Sequence, residues 1–519
     1  MCNNLKFNLT DGSDEHRFIK ELADHFSIKK ERSVSESFAI YDTFDWRLFN
    51  NSLVLYESGN RLFLRRLSED TIIQSIKITS PPVFIWDFPD SELKDQLAPV
   101  IKVRALFKLV EVHSRSRPYR ILNKDEKTVA RLVYKEIRPS RDKSEQVFAA
   151  HFCLKPVRGY PKYSRNLAKR LEKSGFLTSE KDDIYFKAIE FADKNPGSYS
   201  SKLNIQLDPD MRSDEAAKVI LRFLLQVIRI NEANIEKDLD TEFVHDFRVA
   251  IRRTRSALGQ IKNVFPAKAT DRFKKDFAFM GKLSNQLRDL DVYLLKEDTY
   301  KAVFPAVLLD DIDPLFDYLR EERAKALREF ISGLKSKECT KILEDWEIFL
   351  NEPPQDYETA SNADLPIIDL ARKRIYKRYR DVVKTGKLIL ENTEDKMLHI
   401  LRIKCKKLRY LIEFFSSLFP DDKIRVLIEQ LKKLQDNLGD FNDLRIQVEY
   451  VLNITEKLPV ADQQSKRILV SIGSLIGWLD REKQITQDAF AETFTVFASP
   501  VNKRLFRELF TLKKKEAVS

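Results

Sequence analysis

Residues 244–255 read VHDFRVAIRRTR and residues 398–409 read LHILRIKCKKLR. Aligned without a gap, they pair His245 with His399, Arg248 with Arg402, Arg252 with Lys406, Arg253 with Lys407 and Arg255 with Arg409. Downstream, Leu283–Asp291 (LSNQLRDLD) resembles Leu434–Asn442 (LQDNLGDFN) at nearly the same offset. Repetition of this kind marks a tandem duplication, and each copy carries a basic helix. At ~100° per residue, His245, Arg248, Arg252 and Arg255 fall within an arc of about 80°. Phe247, Ala250, Ile251, Leu258 and Ile261 occupy the adjacent arc, which must face a core. The second copy sets His399, Arg402, Lys406 and Arg409 beside Leu401, Cys405, Leu408 and Ile412.

Both cationic stripes therefore border a buried face. Like charges three and four residues apart cost ~0.2–0.5 kcal/mol per pair. Solvated helix faces relieve this with interspersed acids. Here Asp246 is the only acid between Val244 and Lys262, and none lies between Leu398 and Ile412. An external anion relieves the repulsion: arginine grips phosphate oxygens with two donors, and lysine acts as a point charge. Packed face to face, the two stripes would line one extended cationic groove, which fits a chain of phosphates better than one small anion.

Around these motifs, from about Pro209 onward, apolar residues recur at spacings of three and four. Glu215–Asp238, Val244–Val264, Arg272–Leu295, Pro314–Gly333, Asp369–Leu390, Leu398–Phe419 and Lys423–Leu438 are expected to be helices of an all-α domain. Asn351–Pro366, with three prolines, is expected to join two sub-bundles. Residues 1 to about 200 instead show β-rich runs at Phe38–Tyr41, Leu53–Tyr56, Arg61–Leu67, Ile72–Ile78, Lys108–His113, Thr128–Ile137 and Val147–Leu154. Ser164–Lys173 and Asp182–Asp193 look helical. Asn195–Ser198 (NPGS) is expected to be a linker.

Composition sets the outer limits. The chain has 519 residues, enough for two large domains, and 43% of them are hydrophobic. Only 12 are glycine, against a usual share of ~7%. No dinucleotide-binding or P-loop glycine motif is present. No apolar run reaches ~18 residues, and the N-terminus lacks a basic-then-apolar leader pattern. The four cysteines are scattered without a C-x-x-C, which argues for a reducing compartment and against a zinc site. The cytosol is the expected location, with no membrane association. Lys and Arg total 91 against 80 acids, a net charge of +11. This matters chiefly where it is concentrated. His245-Asp246 superficially resembles a metal-dependent HD site. With six histidines in the chain and Ile400 in place of the aspartate in the second copy, that chemistry lacks ligands.

The two basic helices resemble the signature helices of the CHAD domain, the conserved-histidine α-helical domain. The resemblance covers about residues 205–510, with repeats at about 205–350 and 366–510. It implies two antiparallel four-helix bundles related by pseudo-twofold symmetry. It further implies inorganic polyphosphate as the partner and, in some members, association with polyphosphate granules. The family's basic positions map onto His245, Arg248, Arg252, Arg253, Arg255, His399, Arg402, Lys406, Lys407 and Arg409. Arg222, Arg229, Arg372 and Lys373 on preceding helices are further candidates.

Residues 1–198 resemble a diverged CYTH domain, the triphosphate tunnel metalloenzyme fold of antiparallel strands. Tyr41–Leu48 (YDTFDWRL) is similar to that family's Y-D-T-x-D-x-x-L segment, Lys77 to its strand-borne lysine, and Arg115 and Arg117 to its paired arginines. The family opens with E-x-E-x-K, whose acids hold a divalent metal. Here those positions are Cys2, Asn4 and Lys6. Two later acidic strands fall on Arg131 and Lys135, and on His151 and Cys153; Phe63 replaces an arginine. The resemblance thus implies a tunnel that keeps the cations Lys6, Arg65, Lys77, Arg115 and Arg117 but has no metal, cofactor or catalytic residue. The expected function is polyphosphate binding by the helical half. The alternatives are an active metal-dependent inorganic triphosphatase or polyphosphatase, and a basic helical nucleic-acid-binding protein. Against the last, the motif helices offer few aromatics for base stacking: Phe247 and Tyr410.

Overall fold

The computed structural model describes residues 5–9, 15–67, 72–139, 147, 149–173, 177–178, 184–303, 308, 311–353, 360–391, 394–455 and 463–511. The chain divides into two compact units, Met1–Ser200 and Ser201–Ser519.

The first unit is built on ten antiparallel strands: β1 (Leu5–Leu9), β2 (Ser27–Lys30), β3 (Val34–Thr43), β4 (Leu53–Ser58), β5 (Arg61–Arg66), β6 (Ile72–Lys77), β7 (Leu106–Leu122), β8 (Thr128–Pro139), β9 (Ala149–Pro156) and β10 (Leu177–Thr178). They hydrogen-bond in the order β10-β1-β9-β8-β7-β3-β4-β5-β6, with β2 also on β7. Helices α1 (Glu15–Ala23), α2 (Arg47–Asn50), α3 (Glu92–Ile101), α4 (Pro161–Lys173) and α5 (Ile184–Phe191) complete the unit. Each β-rich run expected from sequence falls on one of these strands, with Leu67, Ile78 and Val147 just beyond the strand ends and Phe148 outside the described residues. Helices α1 and α3, which that reading passed over, bury Phe18 and Leu22, and Leu93, Leu97 and Ile101. Both pack on the same sheet face, each over its own apolar cluster: Tyr119, Leu132 and Tyr134 lie beneath α1, and Ala39, Leu55 and Leu64 beneath α3.

The YDTFDWRL segment has a structural job. The Asp42 carboxylate is buried and accepts from the backbone amides of Thr43 (2.7 Å), Leu48 (2.9 Å) and Phe49 (2.9 Å). Burial pushes that carboxyl up to about 6, although the amides pull the other way. Asp45 accepts from the Thr43 hydroxyl and Arg47 Nε, and lies 3.6 Å from the buried Arg104. The motif thus closes the β3–α2 corner.

The second unit is helical: α6 (Ser213–Ile235), α7 (Glu242–Gln260), α8 (Ala267–Leu283), α9 (Asn285–Leu295), α10 (Glu297–Lys301), α11 (Asp313–Leu334), α12 (Lys337–Asn351), α13 (Ile367–Glu391), α14 (Asp395–Phe414), α15 (Asp421–Thr455), α16 (Gln463–Asp488), α17 (Phe490–Phe497) and α18 (Pro500–Phe510). In the first repeat α6 packs on α7 and α12, and α7 on α8; in the second α13 packs on α14 and α18, and α14 on α15. The repeats meet where α7 lies against α14. Aromatic rings fill both cores: Phe273 and Phe277 on Trp346 in one, Tyr379 stacked on Phe506 in the other.

Boundaries depart from the sequence reading at informative places. Arg272–Leu295 is two helices, broken at the buried Ser284. Leu398–Phe419 stops as α-helix at Phe414 and passes through a 3₁₀ turn before Pro420. The helix expected over Lys423–Leu438 runs on to Thr455. Lys337–Asn351 and the three helices after Gln463 were not anticipated. In α12 the buried Cys339, Ile342, Leu343, Trp346, Phe349 and Leu350 do recur at spacings of three and four, so the signal for that helix is present in the sequence.

Gly386 is the tightest point of the second repeat. It is buried on α13, and the Phe494 ring of α17 occupies the space a β-carbon would need. Gly386→Ala is therefore expected to force the helices apart. The cost should be about 1–3 kcal/mol of overpacking, read as a lowered denaturation midpoint of the full chain.

Candidate anion-binding site

The seam between α7 and α14 brings the two basic motifs together. Gln260 Nε2 donates to the Lys407 carbonyl (3.0 Å), and Arg253 Nη2 donates to Glu413 (2.9 Å) while its guanidinium stacks on Tyr410. Apolar positions of both helices, including Phe247, Ala250, Ile251, Leu401, Cys405 and Leu408, are buried. Sequence spacing dictates the consequence: the neighbouring positions on each helix, which hold the cations, line the edge of the seam.

Arg252 and Lys406, the equivalent residues of the two repeats, are close enough to repel each other. Arg252 also acts on Arg248, Arg288 and Arg402. Lys406 is pushed down to about 7, first by burial and then by Arg402 and Arg252. Burial, reinforced by Arg252, holds Arg248 down at about 10. Arg402 is also lowered by burial, with Asp443 opposing. Arg248, Arg288, Arg402 and Lys406 are each held down first by burial and then by neighbouring cations, Arg252 acting on all four, which marks a site short of negative charge.

Acids do reach part of it. Arg402 pairs with Asp443 (3.1 Å), and Arg409 with Glu413 (2.6 Å), the acid that also holds Arg253. Asp289 stands near Arg248 and Arg288, its carboxyl raised by burial against their pull. Among the described residues, neither Arg252 nor Lys406 has an ion-pair partner. Buried Nε atoms of Arg252 and Arg402 and Nη1 of Arg288 have no hydrogen-bond acceptor. A buried guanidinium N–H without an acceptor costs about 1–3 kcal/mol, so these donors favour an incoming oxyanion.

The remaining candidates separate. His399 Nδ1 lies 2.7 Å from Asn442 Oδ1, within hydrogen-bond distance. The ring lines a cavity of about 530 Å³ with Lys396, Arg445 and Lys483. His245 is half-buried one turn before Arg248, and Arg255 is exposed. Lys407 turns to another flank, beside Arg378, Lys262, Lys274 and Lys404. Arg222 donates to the Leu350 carbonyl at the end of α12 (2.6 Å), and Arg229 faces Glu232 and Glu347. Neither joins the cluster. Arg372 sits 3.9 Å from Asp369.

Arg288 was missed by the sequence reading. It stands in the quoted LSNQLRDLD repeat, but the second copy has Gly439 there, so pairing the repeats gives no signal. The break at Ser284 was missed as well. There Arg248 Nη1 donates to Ser284 Oγ (2.9 Å) and Asn285 Oδ1 (2.8 Å), which fixes the guanidinium.

In the first unit, β-ladder register puts the positions of Lys6, Arg65 and Lys77 on one sheet face, with Arg131, Lys135, His151 and Cys153. Arg115 and Arg117 fall on the opposite face. There Arg117 is held by Glu15 and Glu136 and lies over the Tyr134 ring. Cys2 and Asn4 lie outside the described residues. These seven residues on the first face do not fit a divalent metal: five are cationic and the other two are imidazole and thiol, where such a metal wants several carboxylate oxygens. Among the described residues no group of three or more His, Cys, Asp or Glu side chains could hold a metal.

Residues 219–451 match the family model of the CHAD domain. Two proteins of Mycobacterium tuberculosis, uncharacterized proteins MT2285 and Rv2226, are each 23% identical over 215 residues. The match spans 40% of this chain and 40% of the length of those relatives. Among solved structures, the CHAD domain from Ricinus communis is 22% identical, covering 57% of this chain and 96% of that one, with a TM-score of 0.49. PptA from Streptomyces chartreusis is 14% identical, covering 55% and 99%, with a TM-score of 0.41. HpAC1 from Hippeastrum, described as having a dominant triphosphatase activity, is 13% identical, covering 38% and 99%, with a TM-score of 0.27. No helix among the described residues is long and apolar enough to cross a membrane.

Lys406 gives a test of sign. Its folded value, about 7, lies below the ordinary lysine value of 10.5. The charged lysine therefore opposes folding fully below pH 7, and the penalty fades as pH rises towards 10.5. Lys406→Met should raise the thermal midpoint at pH 6.5 and leave it nearly unchanged above pH 10. A lowered midpoint at pH 6.5 would show that the ammonium is well paired.

Proposed function

With residues 219–451 forming a CHAD domain, we propose that this protein binds inorganic polyphosphate at the α7/α14 seam. One observation carries the reading: equivalent cations of the two repeats, Arg252 and Lys406, lie in each other's field, and among the described residues neither has an ion-pair partner, with Asp443 the one acid that acts on Lys406. Adding Arg248, Arg288 and Arg402 gives donors drawn from three helices around one seam. A polymer of closely spaced phosphates meets several of these donors at once, whereas a single small anion satisfies few. The first unit is a non-catalytic companion, since the residues on its Arg65/Lys77 face supply no hard oxygen set for a metal.

Binding of a polyanion raises the proton affinity of Lys406, so affinity should fall as pH rises from 6 to 9, with net proton uptake near pH 7. As with nucleic acids, log K should fall steeply with log salt through counterion release. Arg252→Glu should weaken long-chain polyphosphate about 10-fold or more and flatten the salt slope by about one unit. Titration of the full chain against long-chain polyphosphate and single-stranded RNA at one salt concentration measures both effects. Equal affinity for RNA would overturn the polyphosphate assignment. For the first unit, the expected result is no phosphate release from tripolyphosphate with Mg²⁺ or Mn²⁺. Turnover that disappears in Lys77→Ala would contradict it.

A further inference from the structure

Helix α13 carries a second concentration of positive charge that the seam does not use. Lys373, Lys377, Arg380 and Lys384 follow one another at i, i+4, i+7 and i+11, so they form one stripe about 16 Å long. They line a cavity of about 590 Å³ whose other walls are Tyr376, Asp381, Phe510 and Thr511, the last two at the end of α18. All four cations are exposed, and among the described residues none has an ion-pair partner. The single acid in the lining, Asp381, already accepts from Arg378 (3.4 Å).

The stripe belongs to one repeat only. Helix α6 precedes the basic helix of the first repeat as α13 does that of the second. Its three cations are spent on α12 and its own acid: Lys218 donates to the Glu352 carbonyl (2.7 Å), Arg222 to the Leu350 carbonyl, and Arg229 faces Glu232 and Glu347. A solvated helix face would be expected to alternate sign. This one holds four cations against one committed acid. Residues 512–519, LKKKEAVS, carry three lysines and one acid, the wrong charge to neutralise it.

From the cavity the positive surface continues towards α7. Arg378 donates to Gln260 at the end of α7 (3.1 Å), Lys404 Nζ reaches the α13 hydroxyl of Thr385, and Lys407 lies in the field of Arg378, Lys262 and Lys274. We infer that the α13 cavity is a second binding surface for condensed phosphates, distinct from the seam, which engages a chain long enough to lie along Lys373, Lys377, Arg380 and Lys384. The inference rests on the polyphosphate reading above for its ligand class. Tyr376 and Phe510 give the cavity part of an aromatic lining.

The test is titration of the full chain with two probes, tripolyphosphate and long-chain polyphosphate, in two variants. One is the double variant Lys377→Glu with Arg380→Glu in the cavity; the other is Arg252→Glu at the seam. Lys377→Gln with Arg380→Gln is the milder form should charge reversal disturb folding. The cavity variant should weaken long-chain polyphosphate about 10-fold and lower the salt slope by about two units, while tripolyphosphate changes less than 3-fold. Unchanged long-chain affinity in the cavity variants, with loss in Arg252→Glu, overturns the second surface and leaves the seam standing. Loss in the cavity variants with Arg252→Glu unaffected overturns the seam and supports the cavity. Equal loss of both probes in the cavity variant also overturns it, because a site for a single small anion does not need the stripe.

Discussion

The helical unit depends on an approach of like charges. Arg252 and Lys406 occupy equivalent positions on α7 and α14 and are brought together when those helices bury their apolar faces against each other. Hydrophobic burial at about 25 cal/mol per Å² drives the contact, and the cations follow because they sit on the neighbouring arc. Electrostatics alone would separate them. The protein limits the cost by pairing outlying members of the group: Glu413 takes Arg253 and Arg409, and Asp443 takes Arg402. Among the described residues the two central cations have no ion pair of their own, although Asp443 acts on Lys406. Under the proposed function, stability lost there would be recovered on binding a polyanion, the relation expected of a preorganised site.

Duplication explains how such a site arises cheaply. One helix with a His-x-x-Arg stripe has a solvated basic face. Two copies packed through the adjacent apolar face put both stripes on one seam. The copies have since diverged around the shared motif. Arg288 has a glycine at its counterpart, Asn442 replaces Asp291, and the cation stripe of α13 has no parallel on α6. Asn442 now orients His399, whereas Asp291 is buried beneath Arg323. The same framework therefore presents different chemistry at its two ends.

Much of this was legible in the chain. Strong alternation marked β3 to β9, and spacing of three and four marked α6, α7, α11, α13 and α14. The paired motif placed Arg248, Arg252, Arg402 and Lys406 beside a buried face, where they are. What stayed hidden depends on tertiary contact. The break at Ser284 has no proline to announce it, and it lies where Arg248 reaches the Gly281–Ser284 turn. Arg222 and Arg229 look like the motif cations in sequence, but α12 claims them. In the first unit, Arg115 and Arg117 look like partners of Arg65 and Lys77, but the register across β3 and β7 puts them on the other face. A sequence shows which residues alternate along one strand, not which face of a neighbouring strand they join.

The central claim is that phosphates lie across the seam between the repeats. A crystal structure of the full chain grown with long-chain polyphosphate and Mn²⁺ tests it directly. The account predicts phosphate density bridging Arg252 and Lys406, with Arg248, Arg288 and Arg402 around it, and no Mn²⁺ on the Arg65/Lys77 face of the first unit. Phosphate held solely with Mn²⁺ in the first unit, and none at the seam, would contradict it.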